Sequence, residues 1–251
     1  DYRPLVTTTF AIEYQFFGRN PQVSHIVNIL LYVLCCWLLF QLLAGTELWG
    51  IRFAELAVLI FILFPVHSEV VNNLKSRDEL MTFVFGISSM LSFVKFAQLK
   101  KNKYLLIGFL WFLAAMLTKR TSIIYLLLIP VCLHYLHSVS WKKFVPVIAI
   151  CALAVVSFVA IKQSLVSTDD VREIQFFENP LVGQEGGIFS RIPFASLVFW
   201  KYVQLMLFPV HLSYYYGYNE IPLVDYQDPL AWLAMLSVIG LLVGIWLKKR
   251  N

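Results

Sequence analysis

The sequence predicts an all-α polytopic membrane helix bundle, with seven spans plus one re-entrant or outer-face helix. Three observations predict it. Hydrophobic residues make up 59% of the chain and charged residues only 14%, less charge than a soluble surface of this size carries. The apolar residues fall in runs approaching the ~20 that cross a bilayer as a helix, divided by short polar breaks. Lys and Arg collect in alternate breaks, as they do on the inner side of a membrane.

The elements follow in order. Residues 1–22 read as a polar and aromatic lead-in. Asn20-Pro21 supplies an N-cap with proline in the first helical position, opening a span from Val23 to Gly45. A second span runs from Arg52 to Val66, and His67 to Asp78 forms a polar segment. The third runs from Glu79 to Ala97, the fourth from Tyr104 to Leu117, the fifth from Ser122 to Leu136 and the sixth from Phe144 to Ile161. Residues 162–191 are the longest polar stretch. An apolar helix from Ile192 to Val210 carries Lys201 in its middle. After a Tyr-rich loop, Asp228-Pro229 starts the last span, which ends at Leu247.

Orientation follows from charge. Placing 46–52, 95–103, 138–143 and 248–250 inside puts Arg52, Lys95, Lys100, Lys101, Lys103, Lys142, Lys143 and the terminal Lys248-Lys249-Arg250 there, against one acid, Glu47. That pattern requires the Ile192 to Val210 helix not to cross; an eighth span there is the alternative, which the charge bias disfavours. The +5 formal charge is dispersed, which argues against nucleic acid. Cys35, Cys36, Cys132 and Cys151 lie within apolar runs and read as small core residues. No metal-ligand spacing occurs. The chain begins at Asp1, without a signal-peptide pattern, and its basic end follows a span directly. It therefore reads as one transmembrane domain, 1–251, of a longer protein. No Asn-x-Ser/Thr sequon is present, favouring a bacterial inner membrane, with the endoplasmic reticulum the eukaryotic equivalent.

The elaborate loops fall on the outer face, so function is expected there. They hold Arg3; His67, Glu69, Lys75, Arg77, Asp78 and Glu79; and Lys119 and Arg120. Carboxylates there suit a general base, and Arg and Lys suit a phosphate. Simpler readings stand beside these. Ser76-Arg77-Asp78-Glu79 is a capping box. Lys119 and Arg120 are turn charges, His67 an interfacial histidine, and Glu55 a partner for Arg52. Tyr214 to Tyr218 fits an interfacial aromatic belt.

Motif order adds a resemblance. Tyr2-Arg3-Pro4-Leu5, Thr9-Phe10 and His25-Ile26-Val27-Asn28 precede a long span. Pro65-Val66-His67-Ser68-Glu69-Val70-Val71 leads to Ser76-Arg77-Asp78-Glu79-Leu80. Lys119 follows Ala114-Ala115-Met116-Leu117. Asn179-Pro180-Leu181, Lys201-Tyr202, Phe208-Pro209, Leu212-Ser213, Tyr216 and Ile221-Pro222 come late. Together these resemble the membrane O-mannosyltransferase-like proteins that carry tetratricopeptide repeats, including bacterial relatives, over essentially the whole chain. The resemblance implies a GT-C fold. It implies transfer of a sugar, mannose-like, from a polyprenyl-phosphate carrier to a protein hydroxyl on the outer or luminal face. It marks Glu69, Asp78 and Glu79 as catalytic acids and Arg3, His67, Arg77 and Lys119 as substrate-binding, with the main base expected ahead of residue 1 and Asp1 the acid nearest to it. The lipid-linked sugar is a donor, and no cofactor is implied. Partners are membrane lipids, the donor, and a protein acceptor or membrane subunits.

Two departures matter. Arg120 stands where the family has Glu, and Tyr215 where it has Asp. Each removes an acid, so a non-catalytic scaffold or partner-binding subunit is the alternative. A transporter is a third reading, disfavoured because charge lies in loops and not in broken helices at the midplane.

Overall fold

The computed structural model describes residues 2–46, 50–140, 144–165, 175, 181–182, 187–210, 212 and 220–250. The chain divides into two compact units, Asp1–Thr168 and Asp169–Asn251. Among the described residues the elements are helical.

In the first unit, α1 (Pro4–Phe17) precedes α2 (Pro21–Ala44), α3 (Gly50–Leu63), the short α4 (His67–Asn72), α5 (Arg77–Leu99), α6 (Asn102–Thr118), α7 (Tyr125–Tyr135) and α8 (Phe144–Leu165). Asn20 caps α2 as its sequence predicts: its side chain accepts from the Gln22 amide, and Pro21 follows. α1 is a departure from the expected lead-in. Its three threonines, Thr7, Thr8 and Thr9, argue weakly against helix, but each returns its hydroxyl to a preceding carbonyl. Pro4 starts the helix, and Gly18 ends it at φ +64°.

The capping box is also corrected. Ser76 makes no side-chain cap. Asn73 instead caps a 3₁₀ turn, Leu74–Ser76, by accepting from the Lys75 amide, and Asp78 accepts from the Glu79 amide at 2.9 Å. The expected fifth helix is composite. A 3₁₀ stretch, Arg120–Ile124, precedes α7, and Ser122 bonds back to the Lys119 carbonyl. Arg52 and Glu55 are both exposed.

α5 is the axis of this unit. It packs along α6 and α2, while α8 lies on α6 and α3 on α2. Phe93, Phe112, Ile129, Phe144 and Val147 are enclosed between them. Two glycines permit this approach. A Cβ at Gly108 would fall 2.5 Å from the Phe93 ring, and one at Gly86 would fall 2.1 Å from the Tyr125 ring. Ser89 closes the α5–α6 contact by donating to the Gly108 carbonyl at 2.9 Å. Residues before α1, around α4 and after α6 gather at one end of the unit. His137 meets Gly45 at the other.

In the second unit, a turn of helix, α9 (Gly187–Ser190), precedes α10 (Ile192–Leu207) and α11 (Pro229–Arg250). Leu197, Val224, Ala231 and Ala234 form its core. Asp228 caps α11 through the Leu230 amide at 2.9 Å, as its Asp-Pro pair predicts. Tyr226 donates to the Phe189 carbonyl and Trp232 to the Tyr226 carbonyl, both at 2.8 Å.

Among the described residues, three helices are long and apolar enough to cross a membrane by length and composition: Pro21–Ala44, Leu74–Leu99 and Phe144–Leu165. Asn102–Thr118, Arg120–Tyr135 and Ile192–Leu207 are shorter apolar helices, and α11 is apolar over Pro229–Gly240. At about 1.5 Å per residue, a 17-residue helix falls short of a ~30 Å hydrocarbon core. The chain is thus a helical membrane protein.

Candidate functional site

The polar groups of the first unit form two ionic sets on adjacent residues of α5. The first centres on Arg77, whose side chain is fully buried. Its guanidinium has five N–H donors, and each has an acceptor. Nε donates to Asn28 Oδ1 at 3.0 Å. Nη1 donates to Thr9 Oγ1 at 3.2 Å and to Glu13 Oε1. Nη2 donates to Glu13 Oε2 at 3.2 Å and to the Ser24 carbonyl at 3.0 Å. The Phe10 ring covers one face, 4.0 Å from the guanidinium carbon. Ser24 donates its hydroxyl to Glu13 Oε2 at 2.6 Å, and Asn28 continues the network to the Asn73 carbonyl at 3.3 Å. Arg77 is saturated, with no N–H left for a phosphate.

The second set centres on Asp78, whose side chain is 4% exposed. Its Oδ2 receives Arg3, and also Lys119 at 3.2 Å. Its Oδ1 is taken by the Glu79 amide. Lys119 also pairs with Glu79, whose side chain is 49% exposed. Asp78 therefore holds two cations at fixed positions. Tyr2, Arg3, Lys119, Arg120 and Thr121 line a cavity of about 70 Å³. It is walled by three cationic residues, which suits an anion.

Glu79 also reaches a second recess. With Tyr32, Cys35, Phe61, His67, Val70, Leu80 and Phe83 it lines about 200 Å³ of mostly apolar space. His67 is fixed there: its Nδ1 donates to the Phe61 carbonyl at 2.7 Å, and its ring lies 4.1 Å from that of Phe61.

Of the residues singled out by sequence, Arg3, Asp78, Glu79 and Lys119 thus come together. His67 shares a recess with Glu79. Arg77 is withdrawn into its own network, and Glu69 stands exposed on α4. Glu13 was missed. Its signal was faint, an acid in a segment read as lead-in, with no charged partner nearby in sequence. Asp1, Tyr215, Tyr216 and the Asn179-Pro180 pair lie outside the described residues. Lys201, on α10, borders a shallow recess of about 50 Å³ with Val198, Tyr202, Leu205 and Ile221. No group of three or more His, Cys, Asp or Glu residues suited to a metal occurs among the described residues.

A family model described as dolichyl-phosphate-mannose-protein mannosyltransferase matches residues 2–161. The chain belongs to this family. The match covers α1 through most of α8, and so both ionic sets. Among relatives, the protein O-mannosyl-transferase F38B6.6 of Caenorhabditis elegans is 25% identical over 256 residues, covering 100% of this chain and 35% of that protein. The protein O-mannosyl-transferase Tmtc1 of Drosophila melanogaster is 32% identical over 132 residues, covering 52% of this chain and 15% of the relative. Human protein O-mannosyl-transferase TMTC1 is 29% identical over 153 residues, covering 57% and 17%. The chain thus spans about a third of the worm protein's length and less of the others. No solved structure matches it. A membrane glycosyltransferase-like protein is what the sequence, the helices and these likenesses together support.

Proposed function

We propose that this chain is part of a membrane glycosyltransferase that moves a mannose-like sugar from a polyprenyl phosphate to a protein hydroxyl on the outer or luminal face. One observation carries the reading: Arg3 and Lys119, from distant parts of the chain, converge on the buried Asp78 and border an anion-sized cavity with Arg120. Cations held before the reaction are what a leaving phosphate needs as charge develops on it.

In this reading a carboxylate removes the acceptor's hydroxyl proton. The oxygen attacks the sugar's anomeric carbon, the bond from that carbon to the phosphate oxygen breaks, and polyprenyl phosphate leaves with the negative charge. Arg3 and Lys119 face that phosphate. Asp78 positions them; Glu79, half-exposed between the cavity and the apolar recess, is the acid best placed to meet a substrate. His67 shapes the recess, and Glu69 stands exposed on α4. Arg77 acts on the fold. The arrangement of seven spans with the Ile192–Leu207 helix on the outer face belongs to the same proposal. It puts the end of the first unit holding Arg3, Asp78 and Lys119 outside, and the end holding Gly45 and His137 inside. A cysteine introduced at Lys100 should then resist impermeant reagents in intact cells, and labelling from outside would reject the topology.

A second reading has one observation behind it. Arg120 lines the cavity where the resemblance expects an acid, which leaves an anion site with one carboxylate fewer. A subunit that binds lipid phosphate without transferring sugar fits that composition. Purified full-length protein given radiolabelled polyprenyl-phosphate mannose and an acceptor peptide separates the two. Transfer lost in Lys119→Ala supports the enzyme. Polyprenyl phosphate bound without transfer supports the second reading, and no binding at all rejects both.

A further inference from the structure

α1 is poorly anchored by apolar contact. Val6 is its one buried residue, while Ile12, Phe16 and Phe17 are 53%, 76% and 60% exposed. Its seat on the bundle is polar and falls at two places. Arg3, just ahead of its first turn, pairs with Asp78. Glu13, in its last turn but one, forms the two-pronged pair with Arg77. Both attachments end on one turn of α5, on neighbouring residues. The Arg77 pair is the more enclosed: the guanidinium is fully buried and the Glu13 side chain is 12% exposed. Arg3, which pairs with Asp78 just ahead of α1, is 31% exposed.

We propose that Glu13 is a positioning residue for the anion cavity: by gripping Arg77 it seats α1, and α1 then presents Arg3 to the cavity beside Lys119. The geometry favours this over a purely local role. A planar guanidinium held by two parallel bonds fixes orientation as well as distance. The Thr9 hydroxyl and the Phe10 ring, one turn earlier in α1, close on the same guanidinium. Three points, at Arg3, at Thr9-Phe10 and at Glu13, thereby reference α1 to residues 77 and 78. The inference rests on the reading of Arg3 as a phosphate contact.

The test is a double-mutant cycle on polyprenyl phosphate binding by full-length protein in nanodiscs. Glu13→Gln and Arg3→Ala should each weaken binding roughly tenfold, the loss of about one charge-assisted hydrogen bond, and the double variant should bind no more weakly than Arg3→Ala alone. Losses that simply multiply overturn the role of Glu13 while leaving Arg3 a phosphate contact. Absence of binding by wild type overturns the reading of Arg3 and the inference with it. Glu13→Asp keeps the charge, and so protects folding, but shortens the reach; it should weaken binding to a lesser degree. Hydrogen exchange gives a readout independent of the lipid. In Glu13→Asp the amides of residues 4–12 should exchange faster while those of 80–97 stay protected. Unchanged exchange in α1 overturns the inference whatever the lipid does.

Discussion

Arg77 and Asp78 are neighbours in sequence, buried, charged and paired with an opposite charge on or just ahead of α1, yet they belong to different kinds of site. Around Arg77 every donor has an acceptor and the ring of Phe10 closes the remaining face. Around Asp78 the carboxylate is saturated, but the cations it holds are not enclosed: Arg3 and Lys119 are 31% and 19% exposed and border a cavity. One set is closed on itself, the other is open on one side. The difference teaches that burial and charge do not by themselves mark a binding group. What marks one is a charged group that borders open space.

The contrast is broken most sharply by removing each centre. Arg77→Ala leaves Glu13 without its counter-charge in an enclosed setting, and breaking such a pair from one side costs about 3–5 kcal/mol. Denaturation of the full-length protein in detergent micelles should show a loss of that order, with α1 released. A loss under about 1 kcal/mol would mean the network is not closed as described.

Next come Arg3→Ala and Lys119→Ala. Each substitution leaves Asp78 with its other cation, so the cost to stability should stay well below that of Arg77→Ala, about 0–1 kcal/mol for a partly exposed pair. Under the proposed function they should cost transfer instead, by about 2–4 kcal/mol or roughly 30- to 1000-fold in rate. The opposite ranking, with folding hurt and transfer spared, would invert the comparison.

How much of this was legible in the chain follows from the range of each signal. The long apolar helices were, because apolar runs and the Asn20-Pro21 and Asp228-Pro229 caps act within a few residues, whereas α1 and α4 lay in segments read as polar. Motif order led to the expectation that Arg3, Glu69, Arg77 and Lys119 converge on one cavity; Arg3 and Lys119 meet at Asp78, whereas Glu69 stands exposed on α4 and Arg77 is withdrawn into its own network. The separate fate of Arg77 was not legible. Its acceptors come from Thr9, Glu13, Ser24 and Asn28, and nothing local shows that α1 is a helix that returns across α5. Ser76 and Glu79 carried a capping signature, but Lys119, forty positions on, pairs with Glu79, and Asp78 takes the Glu79 amide. Tertiary pairing overrode a local pattern there.

A third substitution sharpens the division between fold and site. Gly108→Ala places a methyl group where the Phe93 ring stands. Overpacking of this kind costs about 1–3 kcal/mol. Because Gly108 lies within the helix interface and away from both ionic sets, stability should fall while the affinity for polyprenyl phosphate stays unchanged. A parallel loss of affinity would show that the open set depends on global packing, and would remove it as an independent site.

The smallest effect concerns pH and the far end of the bundle. His137 lies in the turn after α7, outside the helices, against the end of α2 at Gly45. Burial pushes its pKa below the ordinary histidine value, and the backbone of Gly45 and Leu42 opposes that only in part. Neither ring nitrogen completes a hydrogen bond. The native state therefore resists the proton that the unfolded chain accepts near pH ~6.5. Where the unfolded chain binds more protons, stability rises with pH. The contribution of His137 is thus full above that pH and is lost progressively below it, down to the depressed native value. Melting of wild type between pH 7.5 and 5 should show this decline, and His137→Gln should flatten it, since glutamine has no proton to gain. A decline that survives the substitution unchanged would remove His137 as its source.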